Sequence, residues 1–246
     1  MMTMVEANIN NNSIACVWAS TGYNVKIRDP SKQQRDEGVA YVEENVASYA
    51  QKTGKTPGKV MAFEDMEAAL ADAWMVIEAV PEKLELKIDV FAELDGLAPA
   101  DCILATNSSS YKSSDLISKV SPARKTHVLN THYFRPPECM LVEVMTCGYT
   151  AEGIIPFVVE RLREAALIPY VARKESTGLI INRLWAAIKR EILNILAEGV
   201  SVPEEIDALW KEMFSTGRLL PCLTMDRKCI HRPRLREGKG KVLTDE

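Results

Sequence analysis

The chain has 246 residues, of which 47% are hydrophobic and 26% are charged, and its formal net charge is −4. This length can bury a sizeable core in one large domain or two modest ones. The charge balance is that of an ordinary soluble globular protein and gives no indication of a nucleic-acid partner. The sequence has no uncharged apolar stretch of about 18 residues and no signal-peptide pattern at its start, so we expect a cytoplasmic protein without a membrane partner.

Short β-rich runs alternate with helical patterns from Ile14 to about residue 175, which predicts βαβ units and a mostly parallel sheet. After a short Met4-Val5 run, the predicted strands are Asn24–Ile27, Lys59–Phe63, Met75–Val80, Cys102–Thr106, Thr126–His132, Leu141–Met145 and Ile168–Ala172. The predicted helices cover about 14–21, 31–52, 64–73, 83–96, 113–120 and 151–166.

The pattern changes near Gly178, where strands give way to two apolar helices, Leu179–Glu198 and Pro203–Phe214. We therefore predict a first α/β domain at 1–175 and a shortened all-helical C-terminal domain at 176–216. A basic tail at 217–246 contains glycine and proline and lacks periodicity, so we expect it to be disordered.

The first unit has the order strand, turn, helix and second strand that dinucleotide-binding folds use. Asp29 follows the second strand, where a carboxylate can accept hydrogen bonds from ribose hydroxyls and disfavour a 2′-phosphate, although the same residue could simply start a loop. The turn departs from the Gly-x-Gly-x-x-Gly pattern, because Glu6, Asn8 and Asn11 occupy the three glycine positions. Asparagine tolerates positive φ, but these side chains would crowd a pyrophosphate and Glu6 would repel it.

Four ordered segments carry a resemblance to a known family: VIEAVPEKLELKIDVFAEL, ILATNSSSYKSSDLI, THYFRPPECMLVEVM and STGLIINRLWAAIKREILNILAEGVSVPEEIDALW. Over about residues 14–214 the chain resembles the 3-hydroxyacyl-CoA dehydrogenase family. The resemblance implies a Rossmann-type domain with NAD as the cofactor. It also implies NAD-dependent oxidation or reduction of a 3-hydroxyacyl-CoA, or of a related 3-hydroxy acid or 3-keto substrate, in fatty acid metabolism.

The resemblance implies four catalytic residues. His132 would remove the proton of the 3-hydroxyl group, which suits an imidazole that titrates near neutrality, and Glu143 would hold the ring and stabilise its charge. Ser109 would hydrogen-bond the reacting oxygen of the substrate. Asn182, in the Gly178–Arg183 segment, would orient the thioester or keto oxygen.

The resemblance also implies residues that border the cofactor. Glu82 and Lys87 match family residues that lie along NAD, and Ser109 and Arg135 would lie beside it. Arg135 stands where the family usually has asparagine, so the cofactor geometry or the charge preference for substrate would differ, and the guanidinium could instead meet an acidic substrate group. No metal site is expected.

Several alternatives remain open from the sequence. His132 could be a core histidine, Glu143 a solvent-facing strand residue and Ser109 a turn serine. The chain could be a non-catalytic dehydrogenase-like protein that binds an acyl thioester or a partner protein, or a relative of 3-hydroxy sugar-acid dehydrogenases. After LLPCLTMD the family continues into packed helices that this chain lacks, so a homodimer that covers the exposed apolar surface is also expected.

Overall fold

The computed structural model of the chain describes residues 1–5, 9–51 and 53–215. These residues form an α/β fold. The strands are β1 Met2–Val5, β2 Val25–Arg28, β3 Val60–Phe63, β4 Met75–Glu78, β5 Ile103–Thr106, β6 Val128–Tyr133, β7 Leu141–Thr146 and β8 Ile168–Ala172. The helices are α1 Ile9–Ser20, α2 Lys32–Ala50, α3 Met66–Leu70, α4 Leu84–Leu97, α5 Ser113–Leu116, α6 Pro122–Lys125, α7 Ile154–Glu164, α8 Ile180–Ala197 and α9 Pro203–Trp210, which a π-helical turn follows.

The strands form one sheet in the order β3-β2-β1-β4-β5-β6-β7-β8. Strands β1 to β6 are parallel to one another, β7 is antiparallel to β6, and β8 is parallel to β7. This arrangement confirms the predicted Rossmann-type, mostly parallel sheet. Because parallel strands end at the same edge, the loops that follow β2, β4, β5 and β6 lie along one side of the sheet.

The N-terminal segment is more regular than the sequence predicted. β1 is a fully buried strand that pairs with β2 and β4, and α1 begins at Ile9 instead of near residue 14. Buried parallel strands can be short apolar runs without alternation, so four residues suffice here. In α1 the polar side chains of Asn11, Asn12 and Ser13 are buried, which hides the helix from a periodicity-based prediction.

Two further predictions of local structure differ from the observed fold. The predicted helix at 113–120 is only the short α5, and α6, which was not predicted, begins at Pro122. Proline disfavours helical backbone in the preceding residue and fits the first turn of a new helix, which separates α5 from α6. The helix predicted at 64–73 covers only Met66–Leu70.

The sheet carries a hydrophobic core on each face. Trp18, Val42 and Leu162 belong to the core under α1, α2 and α7, whereas Phe91 belongs to the opposite core under α4. Fully burying such a side chain stabilises the fold by about 1.5–3 kcal/mol. The Trp18 Nε1–H donates to the Tyr133 hydroxyl over 3.0 Å, which ties α1 to the end of β6.

The chain separates into two compact units, the first at Met1–Trp185 and the second from Ala186 onward. In the described part of the second unit, α9 and the remainder of α8 expose large apolar side chains such as Leu193 and Leu209. The predicted domain limits remain a prediction, and the predicted tail at 217–246 lies outside the described residues. None of the helices in the described ranges is both long and apolar enough to cross a membrane.

Candidate active site

A cavity of about 550 Å³ opens at the edge of the sheet where the parallel strands end. Its walls come mainly from the residues that follow β4, β5 and β6. They include Glu82, Lys87, Ser109, His132 and Arg135. In folds of this type, ligands bind in the crevice outside the carboxyl ends of the strands, so this cavity is the candidate active site.

His132 and Glu143 face each other across the antiparallel pair formed by β6 and β7. The distance from His132 Nδ1 to Glu143 Oε2 is 3.8 Å, which is longer than a hydrogen bond. Neither atom has a hydrogen-bond partner among the described residues, and both side chains are largely buried. A small rotation of either side chain would bring Nδ1 and Oε2 within hydrogen-bond distance.

Burial sets the charge state of this pair. Desolvation lowers the pKa of His132 below its ordinary value, and the negative charge of Glu82 opposes that shift. Desolvation also raises the pKa of Glu143, while the backbone N–H groups of Ile181 and Ile180 oppose the rise. The imidazole is therefore neutral near pH 7, which is the form that can accept a proton.

The first turn of α8 forms hydrogen bonds with two of the site residues, Glu143 and Ser109. The Ile181 N–H donates to Glu143 Oε1 over 3.0 Å, so the carboxylate takes up a backbone donor at the helix N-terminus. The Asn182 amide Nδ2 donates to the backbone oxygen of Ser109 over 2.8 Å. Both the partner of His132 and the serine loop after β5 are thus fixed by the same turn.

A buried ionic cluster supports the loop after β4. Lys87 Nζ lies 2.8 Å from Glu78 Oε1 and 3.2 Å from Glu82 Oε2, and the side chains of Lys87 and Glu78 are almost completely buried. Glu78 also accepts from the Thr106 hydroxyl and from the Val80 N–H, each over 2.7 Å. The cluster fixes the ends of β4 and β5 relative to α4.

Glu82 connects this cluster to the serine loop. Its carboxylate accepts from the Ser108 hydroxyl over 2.5 Å and from the Ser110 N–H over 3.2 Å. Burial alone would raise the pKa of Glu82, but the Ser108 hydrogen bond and the Lys87 charge lower it. Glu82 is therefore held as a carboxylate at the wall of the cavity.

The family model described as 3-hydroxyacyl-CoA dehydrogenase, NAD binding domain, matches residues 10–175. The chain belongs to the 3-hydroxyacyl-CoA dehydrogenase family. Its members are NAD-dependent oxidoreductases, so NAD is the cofactor that the family implies for this chain.

Individual relatives agree with this membership. The chain is 43% identical over 107 residues to the 3-hydroxyacyl-CoA dehydrogenase-like protein LAM1 of Cochliobolus heterostrophus, a match that covers 44% of this chain and 22% of that protein. It is 30% identical to the 3-hydroxybutyryl-CoA dehydrogenase of Clostridioides difficile over 85% of this chain and 76% of that enzyme. The crystal structure of 3-hydroxybutyryl-CoA dehydrogenase from Escherichia coli K12 superposes with a TM-score of 0.77 at 27% identity, covering 86% of this chain and 46% of that chain. The chain spans about half the length of some other curated relatives that it matches.

Two described residues, Asp29 and Asn11, lie where the family binds its dinucleotide. Asp29 follows β2 directly and keeps its carboxylate at the edge of the sheet, where Oδ1 accepts from the Ser31 N–H over 2.7 Å. Asn11, at the third glycine position, donates from Nδ2 to the Ala79 backbone oxygen over 3.1 Å. In the motif, a glycine at this position allows close packing of the helix against the sheet. Here the Asn11 amide lies between α1 and the end of β4, and its hydrogen bond joins the two. Glu6 and Asn8, at the other two glycine positions, lie outside the described residues.

The fold brings most of the predicted site residues to one place. Glu82, Lys87, Ser109, His132 and Arg135 line the cavity, with Glu143 behind His132 and Asn182 bonded to the Ser109 backbone. Asp29 does not line this cavity and lies after β2, in the part of the sheet where the adenosine end of a dinucleotide binds. The individual roles of these residues remain predictions. In the described chain, no group of three or more potential ligand residues could hold a metal ion.

The sequence prediction missed two supporting residues. Glu78 ends the apolar strand β4 and pairs with Lys87, and a carboxylate at the end of an otherwise apolar strand was the signal that could have identified it. Asn107 accepts the Tyr133 N–H over 2.9 Å and thereby joins the loop after β5 to β6 beside His132. Asn107 stands directly before three serines, and nothing in that segment of sequence distinguishes it as a supporting residue.

Proposed function

We propose that the chain catalyses the NAD-linked oxidation of a 3-hydroxyacyl thioester or a related 3-hydroxy acid, and the reverse reduction. The observation that carries the proposal is that His132 lines a cavity at the ligand-binding edge of the sheet while its Nδ1 faces the buried carboxylate of Glu143. A histidine that served only to fill the core would need neither exposure to a cavity nor a carboxylate beside its ring.

Each of the four candidate catalytic residues has a separate role toward the substrate. In the oxidation, His132 Nε2 accepts the proton of the 3-hydroxyl group, and in the reduction it returns that proton to the keto oxygen. Glu143 stabilises the imidazolium that forms, and its anchor at the first turn of α8 keeps it in register with His132. The Ser109 hydroxyl and the Asn182 amide orient the oxygens of the substrate.

NAD, when bound, supplies the hydride acceptor for the oxidation and NADH the hydride donor for the reduction. Asp29 would hold the adenosine ribose, and Glu82 and Lys87 would border the cofactor at the cavity. The ionic cluster with Glu78 keeps these two side chains in place.

The proposal extends to the location of the enzyme, its metabolism and its oligomeric state. We expect a cytoplasmic enzyme of fatty acid metabolism if the substrate is an acyl-CoA. A homodimer would cover exposed apolar side chains of the second unit such as Leu193, Val200 and Leu209.

The decisive experiment follows the nicotinamide absorbance of NADH with acetoacetyl-CoA or acetoacetate at near-stoichiometric protein concentration, so that slow turnover is detected. We expect consumption of NADH that depends on both the protein and the keto substrate. Folded protein that binds NADH but consumes none with either substrate would contradict catalysis and favour the non-catalytic alternative.

The pH dependence of the oxidation should report His132. As the pH falls through the lowered pKa of the imidazole, the ring gains a proton and can no longer act as a base, so the rate should fall. Since burial lowers that pKa, the midpoint of the fall should lie below the pKa of a free imidazole. The measurement is kcat/KM against pH with the methyl ester of a 3-hydroxy acid, which does not titrate in this range. A midpoint above that of free imidazole would contradict the assignment.

A further inference from the structure

Arg135 places an exposed cation on the wall of the cavity that contains His132. It lies two residues after the end of β6 and lines the cavity together with Phe134 and Cys139. Its guanidinium forms no ion pair with any residue that the structure describes. A guanidinium in this position is available to a ligand.

The other charges of the cavity are already balanced or absent. Lys87 is paired with both Glu78 and Glu82, so its ammonium is not available to an anionic ligand. His132 is neutral near pH 7, because burial lowers its pKa. Arg135 is therefore the cation of the described cavity wall that can attract an anion, and its planar fork fits a carboxylate with two parallel hydrogen bonds.

The position of Arg135 in the sheet separates it from the phosphates of a dinucleotide. Those phosphates bind at the N-terminus of the helix after β1, and β4 and β5 lie between β1 and β6. Three strand spacings amount to roughly 14 Å. Arg135 instead lies three residues after His132, at the same end of β6. Its charge is therefore on the side of the cavity where His132 would meet the reacting carbon of the substrate.

We propose that Arg135 binds the carboxylate of the substrate and that the site acts on free 3-hydroxy and 3-keto acids in preference to thioesters. In such an acid the carboxylate is two carbons from the hydroxyl carbon, whereas a thioester is uncharged at this point and its coenzyme phosphates lie far from the reacting carbon. This inference rests on the proposed function and names its substrate class.

The test compares 3-hydroxybutyrate, its methyl ester and its coenzyme A thioester with wild-type protein and the Arg135→Met variant. Methionine keeps an unbranched side chain and removes the charge. For the free acid, kcat/KM should fall by about 10- to 100-fold, because hydrogen bonds to a charged group are lost. For the ester and the thioester, kcat/KM should change by less than about 3-fold.

Two further variants sharpen the comparison. Arg173→Met removes an exposed cation after β8, whose end lies at the opposite edge of the sheet from the end of β6, and it should leave all three substrates unaffected. Arg135→Lys keeps the charge without the fork and should restore only part of the activity with the free acid.

Failure of this inference can be distinguished from failure of the proposed function. Equal losses with acid and ester, a thioester preference that Arg135→Met leaves intact, or a weaker NADH affinity as the sole effect would each overturn the carboxylate assignment. Calorimetric binding of 3-hydroxybutyrate tests the site without turnover. Binding that is lost in Arg135→Met supports the carboxylate site even if no substrate is oxidised, and binding that is unchanged refutes it.

Discussion

Replacing His132 with glutamine should lower kcat/KM in both directions by about 10²- to 10⁴-fold, the usual contribution of a positioned acid or base. Glutamine keeps a polar side chain of similar size at this largely buried position but cannot exchange a proton near neutral pH. The loss corresponds to about 3–5 kcal/mol of transition-state stabilisation. The measurement is the initial rate with NADH and a keto substrate, together with the NADH dissociation constant, which should change little.

His127→Gln is the matched control for this experiment. His127 is a half-buried histidine that immediately precedes β6, so it lies at the opposite edge of the sheet from His132. This variant should keep its activity. A His132→Gln protein that is folded, binds NADH and retains more than about a third of wild-type activity would refute the role of His132 as acid and base.

Much of the candidate site could be predicted from the order of the motifs. Glu82 and Ser109 each follow a predicted strand, His132 ends one, and strands of a parallel sheet end at one edge. The structure places all three at the cavity. A prediction that identifies the strands correctly therefore also identifies which loops meet, even though the bounds of individual strands shift by one or two residues.

The position of Glu143 opposite His132 could not be predicted from hydrophobic periodicity alone. β7 is antiparallel to β6, and the register that places these two residues opposite each other depends on the connection between the strands. A different connection length would have moved Glu143 to the other face of the sheet. The pairing could be expected only from the family resemblance.

Some contacts could not be predicted because backbone groups make them. The Ile181 N–H that binds Glu143 has no signature in a side chain, and neither does the Ser109 oxygen that accepts from Asn182. The central strand β1 was underestimated for a related reason, because its stability comes from pairing with β2 and β4 and not from its own pattern. Such features depend on tertiary context that a local window of sequence does not contain.

At the third glycine position of the motif, the structure shows how α1 accommodates asparagine. The side chain of Asn11 fills space that a glycine would leave open. Its amide donates to the Ala79 backbone oxygen, where α1 packs against the end of β4. The departure itself can be read from the sequence. The sequence could not predict the hydrogen bond that the Asn11 amide forms there.

Replacing Lys87 with methionine should destabilise the fold by about 3–5 kcal/mol, because it removes one partner of a buried ion pair. Glu78 would keep its hydrogen bonds from Thr106 and Val80 but lose its cation while it remains fully buried. Glu82 is partly exposed, so water can stabilise its charge in the variant. The expected decrease in the melting temperature is roughly 6–20 °C, measured by thermal unfolding at pH 7.

The double variant Lys87→Met and Glu78→Gln should recover a large part of this loss, since the carboxylate that the single variant leaves buried and uncompensated is then neutral. Lys119→Met is the matched control, because Lys119 forms an exposed pair with Asp89 and its loss should hardly change the melting temperature. If Lys87→Met destabilised the protein no more than Lys119→Met does, the ionic cluster would not be what holds the loop after β4. If the single and double variants were equally destabilised, the loss would instead come from the packing of the lysine stem against its neighbours.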